Sequence, residues 1–119
     1  MQAFVEGVGS DAPTITNENG AKQSHSPYRM DLIPPLATLA VAGVLCTGAV
    51  KYGEDNWKGL PLKDQLNHAM THVMAFLAGD TQDDHMEHFA CRAMMALEIH
   101  LIETQRRKEL AQNDNQQSI

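Results

Sequence analysis

Apolar residues recur with a helical period through the middle of the chain, while polar residues crowd both ends. Leu62, Leu66, Ala69, Met70, Val73 and Leu77 follow the i, i+4, i+7, i+8 spacing of an amphipathic helix, predicting one from about Pro61 to Gly79. An earlier helix is expected from Pro34–Pro35, where the second proline suits a first helical turn, to about Lys51, with Gly53 as its C-terminal cap. A third opens at "TQDD", where Thr81 and Asp84 match the Ser/Thr-x-x-acid capping box, and runs to about Glu109. No stretch alternates with period two well enough to make a strand, and no segment repeats. The expected fold class is all-α, a small domain of three to four helices.

Met86, Phe89, Ala93, Met94, Leu97 and Ile102 are among the apolar residues that cover nearly the whole circumference of the third helix. A helix apolar all round is buried on all sides, and two partner helices cannot easily enclose it. Either the termini fold over it or a second copy covers it; the expectation carried forward is a homo-oligomeric helical bundle, dimer or tetramer. The ends support this. Residues 1–27 mix Gly, Ser, Asn and Pro without periodicity, and residues 110–119 are amide-rich, so both read as flexible tails around a domain at 28–109. What is left of a 119-residue chain is marginal for a lone core.

The net charge of −6, with lysines and arginines scattered, offers no basic face for a nucleic-acid polymer. A small anionic ligand remains compatible, since a bound metal reverses the local field. The longest apolar run, residues 36–50, is fifteen long and broken by Thr and Gly, whereas a membrane span needs about twenty. The N-terminus lacks the basic-then-apolar layout of a signal peptide. Cys46 and Cys91 are too few for a disulfide framework. A reduced, cytoplasmic protein without a membrane partner is the expectation.

Chemistry-bearing residues gather toward one end. Asp64, His68 and His72 form one i, i+4, i+8 line on the second helix; His85, His88 and Arg92 share a seam on the third. Asp84 and Glu87 share another, with Glu98 further along. The short join makes the two helices antiparallel, so His72, Asp80, Asp84, His85, Glu87 and His88 converge. Each also has a plainer reading: the histidines as boundary residues of an amphipathic helix, and Asp80, Asp83 and Asp84 as complements to a helix dipole. The stretch "TGAVKYGEDNWKGLP" at 47–61 is likewise open. Trp57 or Tyr52 offers a flat face for a base, Lys51 a charge for phosphate and Asn56 a donor–acceptor pair; or Gly53, Asp55 and Asn56 shape a turn pinned by a half-buried Trp57.

The strings "YRMDLIPP" at 28–35, "GAVKYGEDNW" at 48–57, "HAMTHVMAFLAGD" at 68–80 and "DHMEHFACRAMMALE" at 84–98 resemble the phage dATP/dGTP diphosphohydrolase N-terminal domain family, which includes MazG-like nucleotide pyrophosphohydrolases. Matched positions are Asp31, Pro34, Pro35, Lys51, Tyr52, Gly53, Asn56, Trp57, His72, Gly79, His85, His88 and Glu98. The resemblance implies an all-α protein that splits a purine deoxynucleoside triphosphate into monophosphate and pyrophosphate with Mg²⁺ or Mn²⁺ in a phage-infected cell. The chain also departs from the MazG pattern of Glu-x-x-Glu on one helix and Glu-x-x-Asp on the next. Here His68 and His72 replace the first pair and Asp84-x-x-Glu87 approximates the second. Imidazole suits Mn²⁺, Zn²⁺ or another transition ion better than Mg²⁺.

The resulting expectation is a metal-dependent pyrophosphohydrolase. His72, Asp80, Asp84, His85 and Glu87 are the expected metal ligands, and Glu87, Glu98 or His88 the proton acceptor. Arg29 and Lys51 are expected on the phosphates, with Tyr52, Asn56 and Trp57 on the nucleoside. The rival readings are a nucleotide-sequestering protein without catalysis and a structural helical oligomer.

Overall fold

The structure, a computed structural model, describes residues 5–117. Three helices carry the fold: α1 (Pro35–Tyr52), α2 (Leu62–Leu77) and α3 (His85–Gln117). Before them stands a small antiparallel hairpin of β1 (Thr14–Thr16) and β2 (Lys22–Ser24), in the register Thr14 to Ser24, Ile15 to Gln23 and Thr16 to Lys22. The chain is thus mostly helical with a two-stranded sheet. The hairpin falls within the stretch expected as a tail and escaped the sequence pattern because each strand is only three residues long and all six strand residues are exposed, with Ile15 their one large apolar side chain. Turn chemistry holds it: the Asn17 side chain accepts the backbone N–H groups of Asn19 and Ala21, both at 2.9 Å, and Gly20 takes φ +82°. At the other end α3 continues to Gln117, eight residues beyond the expected Glu109. Residues 1–4 and 118–119 of the expected tails lie outside the described residues.

Helix α1 starts with Pro35 at its first position, where the missing N–H costs nothing, and stops at Gly53, whose N–H closes on Ala49 O at 2.9 Å. Val41, Val44, Leu45, Gly48 and Ala49 form its covered stripe, and α3 is the helix it meets. The opposite face stays bare, with Leu36 81% and Val50 87% exposed. By length and composition α1 could cross a membrane, a test that the core helix of a soluble protein also passes.

Helix α2 packs against α3 along a line different from the expected one. Gln65 and Ala69 are buried and His72 and Val73 half-buried, whereas Leu66, Met70 and Leu77 face outward. The residues buried alongside Gln65 are small, Ala69 on α2 with Cys91 and Ala96 on α3, and small side chains are what allow helix axes to approach closely. The third helix is not enclosed within one chain; Met94, Leu97 and Leu101 are each at least half exposed. Both cysteines are free, Cys91 buried and Cys46 exposed.

The α2–α3 connection fixes the site. Gly79 N–H bonds Phe76 O and Asp80 N–H bonds Ala75 O, both at 3.0 Å, the paired closure of a Schellman turn, with Gly79 at φ +86°. Asp80 and Asp83 then order the connection through their own carboxylates, on the N–H of Gln82 at 3.3 Å and of Asp84 at 2.8 Å, bonds that take the place of the expected Thr81–Asp84 box. His88 N–H to Asp84 O begins α3. Gly79→Ala should cost about 1–2 kcal/mol, because its added Cβ meets open space and only the left-handed backbone is penalised. Thermal melts followed by circular dichroism should show a loss of several degrees, with Gly59→Ala, at ordinary φ and in equally open space, nearly silent.

Candidate functional site

A cleft of about 830 Å³ lies between the end of α1, the turn after it, and the facing sides of α2 and α3. Its walls come from two origins. Lys51, Tyr52, Asn56 and Trp57 line one side; Asp64, His68, His72, Asp83, His88 and Arg92 line the other. The i, i+4, i+8 line of α2 therefore faces the cleft along its whole length, and the His88–Arg92 seam of α3 meets it.

The aromatic side is both a turn and a wall. Gly53 at φ +97° and Asp55 at φ +60° bend the chain into a short 3₁₀ helix, Asn56–Gly59. Trp57 is half-buried, and its carbonyl accepts the Gln65 side-chain amide at 3.3 Å, which ties the turn to α2. Tyr52 stays exposed with the Lys51 ammonium 5.0 Å from its ring centre. Lys58 lies 5.8 Å from the Trp57 ring centre while pairing with Asp55 at 3.3 Å.

The polar side is built around three imidazoles. His72 and His88 stack with ring centres 5.1 Å apart, and His88 Nε2 lies 3.3 Å from Asp83 Oδ1. His72, Asp83 and His88 each bring one potential ligand atom within 4.8 Å of the others, a spacing that a single divalent ion could bridge. Behind them, Asp80 Oδ2 meets His85 Nε2 at 2.5 Å, and His85 Nδ1 meets His72 Nδ1 at 3.0 Å. The His85 bond holds the Asp80 carboxyl below its usual range. Burial, reinforced by the neighbouring His88, His85 and Arg92 and opposed by Asp83, holds His72 below the ordinary histidine value.

Asp80 is therefore favoured as a carboxylate and His72 as a neutral imidazole. Across the His72–His85 bond one Nδ1 donates and the other accepts, and where His72 is the donor its Nε2 is left as a lone pair. An imidazole that donates its second N–H to an outer partner has its tautomer and orientation fixed, which raises its basicity as a metal ligand. Two imidazoles and one carboxylate fit Mn²⁺, Zn²⁺ or a similar transition ion better than Mg²⁺.

Of the expected site residues, Lys51, Tyr52, Asn56, Trp57, His72 and His88 line the cleft. Asp80 and His85 stand behind His72 as described. Asp84 and Glu87, at the start of α3, are not among the cleft-lining residues, Asp84 exposed and Glu87 half-buried. Glu98 borders a smaller hollow of about 280 Å³ with Val41, Trp57 and Met94. Arg29 is exposed and forms a two-bond pair with Asp31 at 2.9 and 2.8 Å, which raises the Arg29 pKa and lowers that of Asp31. Asp64, His68, Asp83 and Arg92 also line the cleft without having been expected as ligands or contacts. Helical spacing sets Asp64, His68 and Arg92 on the right seams, whereas Asp83 reads as one of the acids that favour a helix start. Gln65, buried on α2, was not expected to matter either, although it interrupts the apolar stripe.

Residues 17–109 match the family described as dATP/dGTP diphosphohydrolase, N-terminal, so the chain belongs to that family. It is also similar to a protein of Salmonella phage PMBT28 named dATP/dGTP diphosphohydrolase, with 35% identity over 65 residues. That match covers 55% of this chain but only 22% of the phage protein, so the chain corresponds to about a fifth of its relative. No solved structure matches the chain.

The sign of the pH dependence follows from His72. Its folded-state proton affinity is depressed, so below its ordinary value of 6.5 the unfolded chain takes up more protons and stability falls with falling pH. Asp80 has the same sign at lower pH: its contribution is intact above 3.8 and is lost as pH falls through its depressed folded-state value. The melting temperature of the metal-free chain should therefore drop between pH 7 and pH 5, and His72→Gln should make that drop shallower. An unchanged slope in the variant would remove His72 as its source.

Proposed function

We propose that this chain is a metal-dependent pyrophosphohydrolase that converts a purine deoxynucleoside triphosphate such as dGTP or dATP to monophosphate and pyrophosphate. One observation carries the reading: in a chain of this family, the His72–Asp83–His88 cluster opens onto a cleft whose other wall is Trp57, Tyr52 and Lys51. The ring faces suit a purine, Asn56 a base edge or ribose, and Lys51 the phosphates. His72, Asp83 and His88 would hold the ion, with Asp80 and His85 orienting His72. When bound, the ion would supply charge for the triphosphate and acidity for a water molecule.

Hydrolysis adds water at the α-phosphorus and breaks its bond to the bridging oxygen, so that pyrophosphate leaves. We assign the proton of that water to His68, the cleft-lining histidine outside the cluster. Glu87 and Glu98, the carboxylates expected for this task, lie outside the cleft. The cellular setting that goes with this activity is the cytoplasm of a phage-infected host.

The bare faces of α1, α2 and α3 support a homo-oligomer as the working unit. Burying one large aliphatic side chain contributes about 1.5–3 kcal/mol, and Leu36, Leu39, Met70, Met74, Leu97 and Leu101 are all at least half exposed in the single chain. A second reading, nucleotide sequestration without cleavage, draws on the scarcity of carboxylates around the ion site.

Incubating the full chain with dGTP or dATP and Mn²⁺, Zn²⁺ or Mg²⁺ should yield monophosphate and pyrophosphate, resolved by ion-exchange chromatography, with Mn²⁺ or Zn²⁺ the better activators. Asp83→Asn combined with His88→Gln should lower turnover by on the order of 100-fold or more. Full turnover in that double variant would reject the site, and tight metal-free binding without product would favour sequestration. Light scattering after size exclusion should give a mass at least twice the 13.1 kDa of one chain, and a monomer would reject the oligomer.

A further inference from the structure

We infer that Arg92, held in place by the buried amide of Gln65, is the principal anchor for the phosphate chain of the nucleotide; this rests on the nucleotide reading of the cleft. Gln65 is completely buried, at 0% exposure, on the α2 face that packs against α3. An unsatisfied amide there would cost about 1–3 kcal/mol, yet both ends are used. Gln65 Nε2 donates to the Trp57 carbonyl at 3.3 Å, and Oε1 accepts from Arg92 Nη1 at 2.8 Å. One side chain thereby fixes the aromatic turn and the guanidinium relative to each other.

Arg92 lies one helical turn beyond His88 on α3 and lines the same cleft. A guanidinium carries five N–H donors, and the Gln65 bond uses one. Gln65 is neutral, so it orients the cation without cancelling its charge, as a glutamate would. Among the described residues no carboxylate pairs with Arg92: of the four cleft acids, Glu54, Asp55, Asp64 and Asp83, none is bonded to it, Asp83 lying against His88 and Asp55 against Lys58, each at 3.3 Å. A planar, always-charged fork aimed into a cleft suits a polyphosphate better than a lone carboxylate or a neutral ligand, because phosphate oxygens can accept two parallel N–H bonds. Gln65 is then a positioning residue and Arg92 the contact.

The probe is inorganic tripolyphosphate, titrated into the full chain without divalent ions and followed by the fluorescence of Trp57, the chain's single tryptophan, with calorimetry in parallel. The unaltered chain should bind it. Arg92→Gln should weaken binding by about tenfold or more, the scale of one lost charge-assisted contact, and Arg92→Lys should recover part of it. Gln65→Glu, which keeps an acceptor for Arg92 but adds a negative charge, should weaken binding as much; a merely structural Gln65 would lower the melting temperature and leave affinity alone. In turnover assays Arg92→Gln should raise KM more than it lowers kcat. Superimposable titrations for the unaltered chain and Arg92→Gln, or no binding by the unaltered chain, would overturn the anchor. The two readings separate cleanly: Arg92-dependent binding without hydrolysis leaves the anchor standing and removes the reaction, whereas hydrolysis with Arg92→Gln unaffected in KM and affinity does the reverse.

Discussion

The turn between α2 and α3 is the constraint from which the site follows. A left-handed residue at Gly79 lets Asp80 N–H reach back to Ala75 O, which closes α2 and reverses the chain within a few residues. Because the reversal is tight, Asp80 and Asp83 sit beside the first turn of α3 instead of trailing into solvent. Their carboxylates meet His85 and His88, and His72 on α2 completes the group from across the interface. A longer connection would have brought the same residue types near one another without fixing which imidazole faces which acid. Geometry here is inherited from a backbone requirement at a single glycine.

Much of this was legible in the sequence, and the misses have physical causes. The three helices follow from proline and glycine punctuation and from apolar spacing. The convergence of His72, His85 and His88 follows from helical periodicity plus a short join. The rotation of α2 does not, because hydropathy ranks Leu66 and Met70 above Gln65. Only the contacts reveal that an amide with both ends satisfied, flanked by the small Ala69, fits the interface better. The hairpin at 14–24 was missed because each strand is three residues long and exposed, too short for an alternation to be read, although Asn17, Asn19 and Gly20 are turn formers between them. Asp83 was hidden by a true but incomplete explanation, since acids at a helix start are favoured by the dipole whatever else they do.

The distribution of apolar surface separates two tasks within the chain. Most of the buried residues are small, with Ala69 on α2 and Cys91 and Ala96 on α3, and each buries little area. Such a core aligns side chains and stabilises weakly. The larger aliphatic residues lie on the outer faces of all three helices, where a single chain gives them no cover. Precision is therefore supplied inside the chain, while most of the apolar surface that could add stability remains outside it. On the oligomeric reading, assembly contributes that stability without altering the site's internal geometry.

Charge gives the cleft its character. The chain carries −6, and on the proposed nucleotide reading a triphosphate would add several negative charges more, so binding would have to be local and overcome the net field. A site made of four carboxylates would need its metal ions merely to become neutral before attracting phosphate. Imidazoles in place of one pair of those acids would remove part of that repulsion at the outset, since neutral His72 presents a lone pair without a charge. The cost is a weaker hold on hard ions, which favour oxygen ligands. Fixed protein cations become correspondingly more important. Arg92, oriented by an uncharged amide, and Lys51 at the opposite wall provide them on either side of the same cleft. On the proposed reading, histidine ligands and an uncancelled arginine would be two expressions of one electrostatic solution, in which an ion and the protein share the task of neutralising the phosphates.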